Sequence, residues 1–234
     1  MPGRVEHVPV RILAVSDEIT PALYDHFDAA RWRAAKVDLL VSCGDLSASY
    51  LSYLVSRFDV PLFYVPGNHD ESYKQEPPEG GDSIDGKFIV WQGLRILGLG
   101  GAPWYNDGVY QYSDSAMARR ILCLKPRIWL AGGIDLIVTH APPRHCPLAF
   151  GVCNPPAGVG RRCRLPERSG RTVCQDASDR THRGFPAFAD LIQTYHPRAF
   201  VHGHSHLSYG TAKRVIEFDG TRVIDAHGYY LLDL

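Results

Sequence analysis

The sequence has no excess of charge of either sign and no long apolar run. Its 25 Lys and Arg balance 25 Asp and Glu, so nothing global favours binding of nucleic acid or of an anionic membrane. No apolar run approaches the roughly 20 residues that a membrane-spanning helix needs. Residues 1–10 lack the apolar segment and small-residue cleavage site of a secretory signal. We therefore expect a cytoplasmic protein without membrane attachment.

Cysteine is sparse, and most of it lies in one segment. Six cysteines in a chain without an export signal are expected to be reduced thiols. Four of them lack the paired C-x₂₋₄-C spacing of most zinc sites, so we favour free thiols over a structural zinc. These four are Cys146, Cys153, Cys163 and Cys174.

Short apolar segments alternate with helical segments in the first third of the chain. Strands are predicted over Val10–Val15, 37–43 and 61–65, and helices from Pro21 and over Tyr50–Phe58. A continuous apolar run such as 37–43 is typical of a strand covered on both faces. The alternation favours right-handed βαβ units and a largely parallel sheet.

The rest of the chain is richer in strands, which indicates a second sheet. Strands are predicted over 87–91, 94–101, 134–140, 198–204, Val215–Phe218, Arg222–Asp225 and Tyr229–Leu232, with helices over Ser113–Leu124 and Phe185–Tyr195. We expect an α/β fold in which two β-sheets pack face to face with helices outside. The whole chain, residues 1–234, is predicted to be one domain.

Polar residues that can bind a metal follow five of the predicted strands. A single histidine at a strand end is usually structural, but ligands bind beyond the carboxyl ends of strands, and here several candidates share one edge. Carboxylate, amide and imidazole groups together suit a divalent ion such as Mn, Fe, Ni or Zn. The candidates are Asp17, Asp45, Asn68, His140, His204 and His206. The remaining histidines, His227 among them, carry no motif and are interpreted as structural or surface residues.

The order of these motifs resembles that of the calcineurin-like metallophosphoesterases. That family carries D-x-H, G-D, G-N-H-[DE], a histidine after a strand, and G-H-x-H. Here Asp17 stands for the first block, and GD ends at Asp45; GNHD spans Gly67–Asp70, THAPP contains His140, and GHSH spans Gly203–His206. The resemblance covers almost the whole chain and implies a sandwich of two mixed β-sheets flanked by helices.

The resemblance also implies a mechanism and a role for each residue. It assigns one divalent ion to Asp17, Asp45 and His206, and a second to Asp45, Asn68, His140 and His204, so that Asp45 bridges them. Two such ions can activate a hydroxide for attack on the phosphorus of a phosphate ester. His69 would assist the leaving group, and Asp70 would orient its imidazole. The expected substrate is a phosphodiester, a small phosphorylated metabolite or a nucleotide.

The chain departs from the family pattern at Ile19, where D-x-H requires a histidine. Isoleucine cannot bind a metal, so the first site loses a protein ligand. Glu18 could substitute, but adjacent side chains of an extended segment point to opposite faces. The other outcomes are a site completed by water, or an enzyme that uses the second ion alone. We expect a first site that is weak or empty rather than an inactive protein.

An insertion over residues 143–183 is rich in arginine and cysteine and follows a predicted ligand strand. It could form a lid over the active site whose guanidinium groups bind phosphate oxygens, or it could be a solvated loop. Candidate substrate-binding residues are Arg144, His182 just before the next helix, and Trp104, which could stack on a base or simply pack.

Two functions of other classes stay open at this point. The protein could be a non-catalytic, metal-binding scaffold for protein partners, although His69 and Asp70 have no purpose in a pure scaffold. It could also be a nuclease, although zero net charge argues against that. The sequence leaves the oligomeric state open.

Overall fold

Two β-sheets packed face to face form the centre of the protein. The computed structural model describes residues 9–144, 184–205 and 214–234. The strands are β1 (Arg11–Ser16), β2 (Leu39–Ser42), β3 (Leu62–Tyr64), β4 (Gly81–Ser83), β5 (Lys87–Trp91), β6 (Leu94–Leu99), β7 (Ala102–Pro103), β8 (Gln111–Tyr112), β9 (Leu136–Thr139), β10 (Ala199–His202), β11 (Val215–Phe218), β12 (Thr221–Asp225) and β13 (Gly228–Asp233). The α-helices are α1 (Ala29–Ala35), α2 (Ala48–Phe58), α3 (Asp114–Leu130) and α4 (Pro186–Tyr195).

Both large sheets are mixed, as predicted. One has the order β13-β1-β2-β3-β4, with β13 antiparallel to β1 and the other neighbours parallel. The other has the order β11-β12-β10-β9-β6-β5, with antiparallel pairs at its two ends. The parallel core of each sheet aligns the carboxyl ends of its strands along one edge.

Alternating side chains of the strands divide the core into three layers. Ile12 and Ala14 of β1 face the second sheet and meet residues such as Val138 of β9 in the central layer. Leu13 and Val15 point the other way and pack beneath α1 and α2. A third apolar cluster joins the outer face of the second sheet to α3 and α4. Strands covered on both faces explain the continuous apolar runs in the sequence.

The helix predicted to begin at Pro21 is wrong. Pro21–Leu23 form only a short 3₁₀ turn, and the first α-helix begins after Asp28. The Asp28 carboxylate accepts hydrogen bonds from the amides of Ala30 and Arg31, at 2.9 and 3.1 Å, and so caps α1. Leu23, whose spacing suggested the earlier helix, is buried in the layer beneath α1 and α2.

Helix α3 continues beyond the predicted end at Leu124. It extends to Leu130 with Pro126 inside it, because the buried side chain of Ile128 packs against the second sheet. The proline removes one amide hydrogen bond, which the packing of this last turn offsets. No helix in the described ranges is long and apolar enough to cross a bilayer.

The two ends of the insertion pair with each other. The amide of Phe185 donates to the carbonyl of Pro142 at 3.1 Å, and the amide of Arg144 donates to the carbonyl of Phe185 at 3.0 Å. The chain therefore leaves and re-enters the described fold at one place. Residues 145–183, including His182 and the four clustered cysteines, lie outside the described residues.

Candidate metal centre

The predicted ligands follow the carboxyl ends of strands in both sheets. Asp17 follows β1 and Asp45 follows β2, while His140 and His204 follow β9 and β10 of the other sheet. Asp17, Asp45 and His204 have φ values of 64°, 55° and 64°. This left-handed backbone is uncommon for residues other than glycine and is concentrated at functional sites. Here it turns the chain sharply at the end of each strand.

A close approach of two loops requires glycine at positions 44 and 67. Gly44 has a φ of 94°, and a side chain there would collide with the backbone of Gly67. A side chain at Gly67 would in turn collide with the carboxylate of Asp45. The glycines of the GD and GNHD motifs therefore allow Asp45 to lie against the loop that carries Asn68.

Three potential ligand atoms converge on one point. One atom each from Asp45, His140 and His204 lies within 4.8 Å of the other two. The rings of His140 and His204 are 4.7 Å apart between centroids, and both side chains are buried. This spacing and this donor set suit a transition-metal or zinc ion.

Asn68 presents its oxygen to the same point. Its Oδ1 lies 3.0 Å from Nε2 of His140, while its Nδ2 donates to the hydroxyl of Tyr105 at 3.1 Å. Nδ1 of His140 lies 2.8 Å from the carbonyl of Cys43, so the ring proton belongs on Nδ1. The lone pair of Nε2 then faces two oxygen acceptors, Asn68 Oδ1 and Asp45 Oδ2, the latter at 3.3 Å. Acceptors arranged in this way require a positive charge between them, which a bound cation would supply.

The electrostatics of the buried pair point to the same requirement. Burial disfavours the charged imidazolium of His140, yet the adjacent Asp45 raises its pKa to about 9. Burial likewise disfavours the charged carboxylate of Asp45, but His140 and the amide of His69 hold its pKa well below the usual value. Without a metal, a proton on His140 supplies the positive charge. A divalent ion would displace that proton.

Asp70 ties together the two loops that carry the ligands. Its buried Oδ2 accepts the amides of Gly67 and Asp45, each at 2.7 Å. Burial raises the pKa of Asp70 to about 6, against the effect of these hydrogen bonds. His69 is exposed beside the site, and its amide donates to Asp45 Oδ1 at 2.9 Å. Both residues are described, and no hydrogen bond joins Asp70 to the His69 ring, so its orientation by Asp70 stays a prediction.

Asp17 lies next to this group, at the place of the predicted first ion. Its side chain is only 2% exposed, and both of its carboxylate oxygens accept the amide of His204, at 3.1 and 3.0 Å. Ile19 is 43% exposed, and its aliphatic side chain offers no ligand atom. His206, the other predicted ligand of this ion, lies outside the described residues, and its role stays a prediction.

The predicted substrate-binding residues differ in their contacts. The guanidinium of Arg144 forms two parallel hydrogen bonds with Asp114, at 2.8 and 2.9 Å, and a third with the carbonyl of Gly184. This contact anchors the base of the insertion to α3, so phosphate binding by Arg144 would require its release. The Trp104 side chain is 54% exposed beside Tyr105. Stacking of Trp104 on a base stays a prediction.

Two residues near the site carried no motif in the sequence. Tyr105 fixes the amide of Asn68 through its hydroxyl. His227, in the turn between β12 and β13, lies with Nδ1 4.0 Å from Asp17 Oδ2. The one sequence feature that could have indicated His227 was its position shortly after a predicted strand. Histidines at strand ends are too common for that position alone to indicate a ligand.

Comparisons with known proteins agree with this fold. The two mixed sheets match the structure of TT1561 of Thermus thermophilus with a TM-score of 0.60 over 97% of this chain and 95% of that one, at 17% identity. A second solved structure matches with a TM-score of 0.57, at 16% identity over the same shares. A sequence model of calcineurin-like phosphoesterases matches residues 10–208. The chain belongs to the calcineurin-like phosphoesterase family.

A more specific likeness covers a small part of the chain. A probable cyclic nucleotide phosphodiesterase of Pseudoalteromonas sp. (strain SM9913) is 38% identical over 84 residues. The match covers 31% of this chain and 32% of that protein, so the chain spans about a third of the length of this relative. It supports phosphoester hydrolysis in general.

Proposed function

We propose that the protein hydrolyses a phosphate ester with the help of divalent metal ions bound at this centre. The observation that carries the proposal is the buried convergence of Asn68 Oδ1, Asp45 Oδ2 and His140 Nε2, with the His140 proton directed away to Cys43. In a family of phosphoesterases, such an arrangement serves ion binding better than it serves packing, because burying acceptors without a cation is unfavourable.

A bound ion would polarise the phosphoryl oxygen and lower the pKa of a coordinated water. The residues of the chain hold the geometry for this chemistry. Asp45 Oδ2 lies 3.3 Å from Nε2 of His140, and the same carboxylate would bridge to the ion bound by Asp17. His69 is exposed where a substrate would enter and is the candidate donor of a proton to the leaving oxygen.

The substrate we favour is a phosphodiester, with a small phosphorylated metabolite or nucleotide as the alternative. The short match to a probable cyclic nucleotide phosphodiesterase supports a diester. Trp104, which precedes Tyr105 in the chain, offers an exposed aromatic surface for a base. We also propose that His182 contacts the substrate, and that Arg144 does so after it releases Asp114. We also propose that residues 1–234 form one domain.

The test is hydrolysis of defined substrates by the full chain with added metal. Bis(p-nitrophenyl) phosphate and p-nitrophenyl phosphate report diesterase and monoesterase activity, and cyclic AMP tests the nucleotide diester. Each is assayed with Mn²⁺, Fe²⁺, Ni²⁺ or Zn²⁺. We expect diester hydrolysis that is abolished by His140→Ala and reduced about 10²–10⁴-fold by His69→Ala, the usual contribution of a general acid.

A control variant separates loss of the site from general damage. His26 is exposed and belongs to no ligand motif, so His26→Ala should retain full activity. If the native chain binds metal but hydrolyses none of these substrates, the proposal of catalysis is wrong and the scaffold alternative gains support. Cleavage of DNA or RNA in preference to small diesters would favour the nuclease instead.

A further inference from the structure

The backbone holds His227 firmly beside the end of β1. The backbone of His227 forms a β-bridge with that of Ser16, and the His227 amide donates to Asp225 Oδ1 at 2.9 Å. Its carbonyl accepts Nη2 of Arg214 at 2.8 Å. The side chain is only 14% exposed. The imidazole therefore has a fixed position next to Asp17, although it comes from the opposite end of the chain.

The two ring nitrogens of His227 face different carboxylates. Nε2 lies 3.2 Å from Oε2 of Glu18, and Nδ1 lies 4.0 Å from Oδ2 of Asp17. If Nε2 carries the ring proton, on the side of Glu18, the lone pair of Nδ1 is on the side of Asp17. Metal-binding histidines usually have this arrangement, in which one nitrogen binds the ion and the other donates to a carboxylate or carbonyl. His140 repeats it, with the carbonyl of Cys43 as the acceptor.

The distance to Asp17 is compatible with a shared ion. Metal bonds to histidine nitrogen and carboxylate oxygen are about 2.1 Å long, so two ligands of one ion lie no more than about 4.2 Å apart. The 4.0 Å between Nδ1 and Oδ2 is within that limit. Ile19, the residue that breaks the family pattern, is 43% exposed and offers no ligand atom to this ion.

Glu18 does not fill the space itself. Its side chain is 62% exposed, and its carboxylate is directed to the far side of the His227 ring. Its contribution is therefore to hold the ring rather than to bind the ion directly.

We propose that His227, oriented by Glu18, is the nitrogen ligand of the ion bound by Asp17 and so replaces the histidine missing at Ile19. The inference rests on the metal centre of the proposed function but not on catalysis. It changes the expectation from the sequence, because the first site would then be complete rather than weakened.

The test measures metal binding directly. The metal-free protein is titrated with Co²⁺ while the visible absorption of the bound ion is recorded, and bound Mn²⁺ is counted by elemental analysis after dialysis. We expect two ions per native chain. In His227→Ala and in His227→Gln, the affinity for one ion should fall by more than about 100-fold, beyond the roughly 10–100-fold typical of an orienting partner. Glu18→Gln should remain within that smaller range.

Two further variants complete the design. His26→Ala, which removes an exposed histidine elsewhere, should bind both ions as the native chain does. Ile19→His in the His227→Ala background restores an imidazole at the family position and should restore the second ion. Circular dichroism of the metal-free variants verifies that each is folded. If His227→Ala does not fold, His227→Gln takes its place in the metal titration.

The inference is overturned if His227→Ala and His227→Gln bind two ions with native affinity and native Co²⁺ absorption. It is also overturned if the native chain binds one ion whose affinity neither variant changes. If two ions bind and depend on His227 but no phosphate ester is hydrolysed, the inference stands and the proposed catalysis fails.

Discussion

Nε2 of His140 lies 3.0 Å from Oδ1 of Asn68, and neither atom has a proton to give the other when the His140 proton is on Nδ1. Two features outside the ligand set enforce this contact. The carbonyl of Cys43 fixes the ring of His140, and the hydroxyl of Tyr105 fixes the amide of Asn68. In the metal-free chain a second proton on His140 fills this contact. A divalent ion that displaces this proton should have consequences that are measurable without any substrate.

Metal binding should stabilise the fold. At a free Mn²⁺ concentration about 100 times its dissociation constant, the free energy of unfolding should rise by about 2.7 kcal/mol. For a chain of this size that corresponds to an increase in Tm of about 5–10 °C. Differential scanning calorimetry with and without Mn²⁺ measures it. His26→Ala should show the full increase and His140→Ala a smaller one, because the ion beside Asp17 does not depend on His140. An equal increase in both variants would show that His140 binds no ion.

Gly44→Ala should destabilise the fold far more than Gly220→Ala. Both glycines have positive φ, 94° and 76°, but a side chain at Gly220 meets nothing within 4 Å. Gly220→Ala should therefore cost only the left-handed conformation, about 1 kcal/mol. Gly44→Ala also forces the backbone of Gly67 away and should cost about 3 kcal/mol or more. Urea unfolding compares them, and equal costs would contradict the close approach of the two loops.

The sequence allowed the fold to be predicted where one physical signal was strong. Continuous apolar runs such as 37–43 identified buried strands, because a sheet covered on both faces has no polar side. The helix predicted from Pro21 failed, because the apolar spacing of Leu23 and Phe27 also suits a turn packed under a neighbouring helix. Only the Asp28 cap decides where α1 begins.

The candidate site was predictable only in part, for a similar reason. Asp45, Asn68 and His140 stand in motifs whose order along the chain is informative, and the structure brings them together. Tyr105 and His227 act through contacts between distant segments, which leave no pattern of spacing in one sequence. The role of Asp70 in joining two backbone amides is equally invisible, since it depends on how closely the loops approach.

Asp70→Ala should weaken the fold as well as any activity. It removes the acceptor of two amides, those of Gly67 and Asp45, and hydrogen bonds to charged groups contribute about 1.5–3 kcal/mol each. We expect a loss of about 2–4 kcal/mol in urea unfolding of the metal-free chain, given that the contributions are not additive. His69→Ala, at an exposed neighbour, is the control and should cost less than about 0.5 kcal/mol. If the two variants are equally stable, Asp70 does not hold the two loops together, and its predicted role is the orientation of His69.

Acid should destabilise the metal-free protein partly through His202. The ring is fully buried, and burial lowers its pKa from 6.5 to about 4. His202 is then neutral in the folded state but gains a proton on unfolding below pH 6.5, so its contribution to stability is lost as pH falls from about 6.5 to 4. Between pH 7 and 4.5, the native chain should lose about 2–3 kcal/mol more than His202→Leu, at 1.36 kcal/mol per pKa unit.

The comparison with His202→Leu is needed because other groups titrate in the opposite sense. Burial raises the pKa of Asp225 to about 8 and that of Asp70 to about 6, so the folded chain binds those protons more tightly than the unfolded one. Their contributions fall as pH rises and are common to both proteins. Urea unfolding at the two pH values gives the difference, and identical pH dependence would show that His202 is charged or hydrated in the folded state.

Tyr105→Phe should weaken metal binding while leaving the fold intact. The variant removes only the hydroxyl that accepts Nδ2 of Asn68, so the amide is free to rotate and Oδ1 no longer has a fixed direction. Loss of such an orienting partner typically lowers metal affinity about 10–100-fold, and we expect this in a Co²⁺ titration. Tyr230→Phe, in the partly buried face of β13, is the matched control and should bind metal normally. A Tyr105→Phe chain with native affinity would mean that His140 alone is sufficient to orient Asn68.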